Sequence, residues 1–308
     1  MKYNVSVIIP TCGREFQVST AIGSVLSQSD LPNHHLQLIL VDDASPIPIE
    51  LNEYPSVQVI RHERNKGAAA ARNTGVAAAQ SDLVAFLDSD DVWLPNKLAN
   101  QLALFEKLSQ MHDPNLLVIG CGFYDPDRRT GALRSRLPMD ASDPHLFASG
   151  CWFAPGSAVL MSRKAFDVVG IQDENMKRLE DLDWFIRFGQ AGGKFFCTRS
   201  HDAVIRPSGR APFDAVMMAV QQLASTYGPS GNTPLPPRSW NRLAAYLSLE
   251  KAVAHFGNHQ LPASAIELAK TIVRKPRFQP AVEQFWRESA DVPLEVQKAF
   301  AEMVDILD

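Results

Sequence analysis

The chain has 308 residues, 45% of them apolar and 21% charged, and 30 Lys+Arg against 34 Asp+Glu leave a formal net charge of −4. That balance excludes wholesale disorder, collagen and coiled coil, and it offers no basic excess for a nucleic-acid partner. No run approaches the roughly 18 apolar residues that cross a membrane. The opening MKYNVSVIIP lacks the apolar core and small-residue cleavage site of a secretory leader. The cysteines at 12, 121, 151 and 197 form no CxxC pair, so a zinc ribbon is not expected, and scattered thiols suit a reducing, cytoplasmic setting.

Along the chain, Val5 to Pro10 reads as a buried strand and Phe16 to Ser29 as a helix with Val18, Ile22, Val25 and Leu26 on one face. Strands follow at Leu36 to Asp43 and Val57 to His62, then an Ala-rich helix from Gly67 to Gln80 and a fourth strand from Leu83 to Leu87. Pro95 suits the first turn of a helix running to about Gln110, and Asn115 to Phe123 reads as a fifth strand. Near-continuous apolar strands alternating with helices predict a largely parallel sheet covered on both faces. Ser157 to Met161 reads as a strand, Arg163 to Val169 as a short helix, Leu179 to Gly189 as a longer one, and 194–197 and 203–206 as two short strands. Beyond about 212, helices are expected at 213–227, 239–256, 262–274, 280–289 and 294–307, interrupted by a Pro/Gly-rich linker at 229–238.

Chemistry concentrates at Asp88-Ser89-Asp90-Asp91, directly after the apolar strand LVAFL. Ligands of parallel sheets bind at strand carboxyl ends. Carboxylates ~4 Å apart repel by roughly 1–4 kcal/mol per pair. A hard divalent cation removes that penalty, held by one or two carboxylates and completed by substrate phosphates. On its own the motif reads equally as a solvated turn before a helix. GxGxxG and GxxxxGK[ST] are absent, which argues against NAD-binding Rossmann and P-loop chemistry.

Five ordered segments together resemble a GT-A glycosyltransferase of family 2: VSVIIPTCGR (5–14), LILVDDAS (38–45), NKGAAAARNTG (65–75), FLDSDDVWLP (86–95), and Gly156 to Gly170 followed by LEDLDWFIR (179–187). The resemblance covers about residues 4 to 212. It implies a Rossmann-like, mostly parallel nucleotide-diphospho-sugar transferase domain over 1–212, with a C-terminal helical extension over 213–308. It implies an inverting transfer from a nucleotide sugar, UDP-linked in the first instance, to a hydroxyl of a glycan or lipid-linked saccharide in cell-surface polysaccharide synthesis. Thr11, Arg14 and Asp43 would hold the base, with Asp42 as the alternative to Asp43. Arg72 would face the diphosphate or Asp88, and Asp88, Ser89 and Arg206 would complete the donor site. Asp90 would bind Mn²⁺ or Mg²⁺, with His201 as a further ligand. Asp181 would be the general base, and Glu180 and Trp152 would meet the acceptor. The chain departs from the family pattern at Cys12, where many members carry an aromatic, and at Pro46-Ile47, where many carry Thr-Asp.

FLDSDDV also fits the nucleophile motif of haloacid-dehalogenase phosphohydrolases, although three strands precede it here and that family places it on the first. A non-catalytic nucleotide- or glycan-binding module is the third reading. The stretch KTIVRKPR (270–277) is locally basic, which suits a solvated helix end or contact with the anionic inner face of a membrane.

Overall fold

Val5–Thr11 form β1, and its β-branched, apolar residues are buried along the whole strand. The structure, a computed structural model, describes residues 3–13, 15–28, 31, 35–127, 130–206, 209, 211–274, 286–287, 292–294 and 296–297. β1 pairs in parallel with β2 (Leu36–Asp42) on one side and β4 (Leu83–Phe86) on the other. β3 (Gln58–Arg61) extends the parallel block beyond β2.

Past β4 the directions mix. β8 (Val159–Ser162) runs antiparallel to both β4 and β6 (Leu117–Pro126). β7 (Leu133–Pro138) returns antiparallel on β6, while β9 (Lys194–Val204) is parallel to β6. Two-residue strands close the set: β5 (Val92–Trp93) pairs with β9 and β10 (Trp286–Arg287) with β7, both antiparallel. The sheet is therefore mixed. A helical crossover is needed to keep two strands parallel, whereas β6 and β7 are joined by a short turn that reverses the chain. The expected short strands at 194–197 and 203–206 are one element, β9, whose pairing with β6 is irregular around Gly120 and Gly122.

Alternate residues of β1 serve opposite faces. Val7 and Ile9 join a cluster with Val18 and Ile22 of α1 (Glu15–Leu26) and Leu98, Leu102 and Phe105 of α3 (Lys97–Leu108). Ile8 joins the other cluster, with Ala71 and Val76 of α2 (Ala68–Ala78) and Phe185 of α6 (Glu180–Gln190). Short helices α4 (Pro144–Phe147) and α5 (Ala165–Val169) lie between them in sequence. α2 lies so close on β1 that a Cβ at Gly75 would stand 2.2 Å from Ile8 Cγ2. Gly75→Ala is therefore expected to cost about 1–3 kcal/mol of stability, read as a lower denaturant midpoint with an unchanged slope.

The C-terminal helices α7 (Phe213–Tyr227), α8 (Pro237–Gly257) and α9 (Leu261–Arg274) follow the expected spans closely. Val216 and Leu223 of α7 and Leu243 and Leu247 of α8 share one apolar cluster with Leu182 and Ile186 of α6. The 229–238 stretch folds back on α7, with the Thr233 and Leu235 amides donating to the Thr226 and Tyr227 carbonyls. Of the helix expected at 280–289, Trp286 and Arg287 are instead strand β10, and the rest lies outside the described residues. The helix expected at 294–307 falls almost wholly outside them. The helix expected from Pro95 begins two residues later, after Asn96 in a left-handed conformation.

Candidate active site

The carboxyl ends of β1, β2 and β4 bring Thr11, Asp43 and Asp88 to one edge of the sheet, where α2 begins at Ala68. Between them lies a cleft of about 290 Å³ lined by Thr11, Asp43, Gly67, Arg72, Asp88, Ser89 and Asp90, among others. The buried Thr11 hydroxyl has no hydrogen-bond partner among the described residues, although it borders this cleft. A buried unsatisfied hydroxyl is costly, so its position suits a ligand atom. Arg14 lies outside the described residues.

Asp43 and Asp42 have different tasks. Asp43 Oδ1 accepts from the Lys66 amide at 2.8 Å and lies 2.7 Å from His62 Nδ1, and Oδ2 accepts from the Gly67 amide at 2.7 Å. Three of its roughly four acceptor positions are thus committed to the loop that leads into α2. Asp42 points elsewhere, accepting from the Ser45 amide at 2.8 Å and pairing with Arg61. Burial opposes its ionisation, but the bonds from Ser45 and Arg61 hold its carboxyl below the usual range.

Arg72 ties the two halves of the site together. Its Nη2 donates to Asp88 Oδ1 at 2.9 Å and its Nη1 to Glu180 Oε1 at 3.1 Å. Burial disfavours this cation, yet Asp88, Glu180 and Asp181 more than offset the cost and push its pKa up. Glu180, expected to meet an acceptor, holds Arg72 from α6 and borders the same site. Ser157 organises the acidic segment from behind. Its Oγ accepts from the Asp88 amide at 3.0 Å and its hydroxyl donates to Asp91 Oδ2. Asp91 is buried, and its Oδ1 accepts from the Arg206 amide at 2.7 Å. Burial and the nearby Asp88 charge push the Asp91 carboxyl well above the ordinary range.

Gly156 sets the place of Asp88, because a Cβ there would lie 2.4 Å from Asp88 Oδ2. Gly156→Ala is expected to displace that carboxylate from Arg72 and lower turnover by about 10²-fold with a near-normal melting temperature. Steady-state rates alongside thermal unfolding check this.

A second compartment of about 440 Å³ adjoins the first and shares Ala68, Arg72, Asp88 and Asp90 with it. Its other walls include Asp181, Arg178, Arg206, Ala154 and Leu179, and Tyr246 from α8. Asp181 Oδ1 accepts from the Leu182 amide at 2.8 Å. Burial, reinforced by the Glu180 charge and opposed by Arg72, pushes the Asp181 carboxyl up to about 6. A carboxyl poised there matches a general base working near neutrality. Two non-glycine residues with left-handed backbones, Ala154 and Leu179, line the second compartment. Such strain persists only where the surrounding fold imposes it.

Two expected site residues belong elsewhere. Trp152 is 5% exposed, lies in the aromatic core with Phe147, Phe153 and Phe195, and donates from Nε1 to the Met139 carbonyl at 3.2 Å. It lines neither compartment, and its ring is buried against Phe147 of α4, its neighbour Phe153 and Phe195 of β9, which leaves no face for an acceptor sugar. His201 stacks on Tyr124 with ring centroids 5.1 Å apart, pairs across β9 with Gly122, and lies outside both compartments. It is not placed with Asp90 as a metal ligand. Burial lowers its pKa.

The family profile named Glycosyl transferase family 2 matches residues 6–170, just over half of the chain. The chain belongs to glycosyltransferase family 2. It is 36% identical over 107 residues to the Escherichia coli UDP-Glc:alpha-D-GlcNAc-diphosphoundecaprenol beta-1,3-glucosyltransferase WfgD, covering 34% of this chain and 42% of that protein. It is 40% identical over 104 residues to the putative teichuronic acid biosynthesis glycosyltransferase TuaG of Bacillus subtilis, covering 32% and 40%. The chain therefore spans less than two thirds of the length of these relatives. Among solved structures, S. aureus TarS residues 1–349 in complex with UDP superposes with a TM-score of 0.56 at 16% identity, over 94% of each chain. That likeness shows a shared GT-A fold.

Family membership sets aside the phosphohydrolase reading of FLDSDDV. Family 2 enzymes commonly use a divalent cation, and the donor set here bears on whether one fits. Among the described residues no group of three or more His, Cys, Asp or Glu is arranged to hold a metal. Asp88 and Asp90 both border the shared floor of the two compartments. Two carboxylates without a protein cage fit a Mg²⁺-type ion that takes its other ligands from water and substrate phosphate. Arg178 and Tyr246 had no recognisable signal in the sequence, since they reach the second compartment from the turn before α6 and from α8.

Proposed function

We propose that this family 2 chain is an inverting glycosyltransferase. A nucleotide-diphospho-sugar would lie in the Thr11–Asp43–Asp88 compartment and an acceptor hydroxyl in the compartment of Asp181. The observation that carries this reading is the shared floor: Arg72, Asp88 and Asp90 border both compartments, while Asp181 borders only the second. In this reading leaving-group stabilisation falls to the shared floor and proton removal to Asp181 in the second compartment. The acceptor oxygen attacks the anomeric carbon as its proton passes to Asp181, and the bond from that carbon to the diphosphate breaks. Arg72 offsets charge arriving on the diphosphate. A divalent cation held by Asp90 with Asp88 would supply further neutralisation of that charge.

The donor favoured first is a UDP-sugar, supported by the UDP in the TarS structure and by WfgD's named donor. Thr11, with its unpartnered hydroxyl, and Asp43, with one acceptor position left, are the groups available to a base, and Arg206 borders the acceptor side. The names of WfgD and TuaG support a saccharide or lipid-linked saccharide acceptor in cell-surface polysaccharide synthesis.

Incubating the protein with a panel of nucleotide sugars and Mn²⁺ or Mg²⁺, and following nucleoside diphosphate release, tests this. Turnover that needs the cation and disappears in Asp90→Ala supports it. Absence of donor binding, or full turnover in Asp90→Ala, rejects it.

A further inference from the structure

A polar ring is buried at the end of an otherwise open strand. The four residues of β3 are exposed or half-buried, yet His62, the residue that follows, is 6% exposed. An imidazole buried there needs partners for both of its nitrogens. It has them: Nδ1 lies 2.7 Å from Asp43 Oδ1, and Nε2 lies 2.9 Å from the hydroxyl oxygen of Thr74 on α2. A carboxylate oxygen only accepts, so the hydrogen-bond network assigns a proton to Nδ1, which donates to Asp43. Nε2 faces a hydroxyl, which gives or takes a hydrogen bond as the ring requires.

Strand register brings this pair together. β2 and β3 run parallel with Asp42 opposite Arg61, and the His62 amide continues the ladder by donating to the Asp42 carbonyl at 2.9 Å. Successive side chains of a strand point to opposite faces. Arg61 therefore meets Asp42 on one face, and His62 meets Asp43 on the other. The other two donors to Asp43, the Lys66 and Gly67 amides, belong to the loop into α2, where Gly67 has a left-handed backbone at φ +98°. Those amides tie the carboxylate to the loop. His62 ties it to the sheet and, through Thr74, to the helix that carries Arg72. Without His62, Oδ1 regains an open acceptor position, and the loop alone fixes how Asp43 faces the first compartment.

We propose that His62 is a positioning residue for ligand recognition in the first compartment. It orients Asp43 so that the remaining acceptor position of that carboxylate meets an N–H of the ligand. His62 lines neither compartment, so it acts through Asp43 and not by contact. The proposal rests on reading that compartment as a nucleotide site, in which the N–H belongs to the base.

The test measures binding of UDP and of inorganic pyrophosphate, each with Mg²⁺, by calorimetry on the full chain. Wild type, His62→Leu and His62→Asn are compared. Pyrophosphate offers the diphosphate without a base. Asparagine places an amide N–H near the position of Nδ1, and leucine places none. His62→Leu is expected to bind UDP roughly tenfold more weakly, the loss of one hydrogen bond to a charged group, and pyrophosphate as the wild type does. His62→Asn is expected to recover most of the UDP affinity. Three results overturn the proposal. One is a leucine variant that binds UDP as tightly as the wild type. Another is a leucine variant that loses UDP and pyrophosphate alike, which makes His62 a general support of the fold. The third is an asparagine variant as weak as the leucine one. A wild type that binds neither ligand rejects the nucleotide reading itself, and this proposal with it.

Discussion

Asp181→Asn is expected to lower turnover by about 10²–10⁴-fold while leaving nucleotide affinity within a few-fold of wild type. The carboxylate borders the second compartment and not the first, so in the proposed mechanism its loss falls on proton removal. Rates with saturating donor, set beside nucleotide binding by calorimetry, separate the two. The pH dependence follows from the same group. Its carboxyl is pushed up to about 6, so the base is ionised above that pH, and wild-type turnover should fall tenfold per unit as pH drops well below it. The stability effect has the opposite sense. A carboxyl raised on folding favours the native state at low pH, and that contribution is lost as pH rises from about 4 through about 6. Asp181→Asn should therefore stabilise the protein at pH 7, by at most about 3 kcal/mol, with the gain vanishing below about pH 4. A variant that is slower, more stable at neutral pH and indifferent to acid would identify a base held in a costly environment for its chemistry. A variant as active as wild type would remove Asp181 from that role.

Arg72→Met should cost about 3 kcal/mol of stability and most of the donor affinity. The methionine fills the space but leaves Glu180 and Asp88 without their cation, and breaking a buried pair from one side is expensive. Asp88 is 38% exposed and partly rehydrates, so the larger share of the loss falls on Glu180, which is 14% exposed. Glu180→Gln in the Arg72→Met background should therefore recover part of the stability and none of the donor binding. Denaturant unfolding of the single and double variants gives the first result, and nucleotide titration gives the second. Additive stability losses would show that the two side chains do not act through one another.

The elements that bear the first compartment were legible in sequence because each is local. VSVIIP, LILVD and LVAFL are apolar runs that only a doubly covered sheet buries, and the acids at 43 and 88–90 follow them directly along the chain. Asp43 could be preferred to Asp42, and the structure commits Asp42 to Arg61. Arg72 in an Ala-rich helix was expected to face a diphosphate or Asp88, and the structure pairs it with Asp88. The residues expected to meet an acceptor were harder to read. Trp152 was expected there from the family resemblance, yet nothing local reveals that Phe147, Phe153 and Phe195 close around it. His201 follows α6 at an interval that suited a ligand, but its place on β9 opposite Gly122 turns it to Tyr124. Gly156 gave no sign of its contact with Asp88, 68 residues earlier in the chain.

Composition alone set the class of this protein: a mildly acidic chain with buried strands and four scattered cysteines. Motif order along the strands located the first cleft and the acidic segment, because hydrophobic period and strand-end chemistry are properties of short stretches. The tertiary structure decided which carboxylates meet Arg72, that Ser157 and Gly156 position the acidic segment, and that Tyr246 of α8 walls the second compartment. It also decided that α9 turns its polar side inward. A helix's period reveals that it has an apolar face, but which face is buried depends on the neighbour it meets, and that neighbour is chosen by the whole fold.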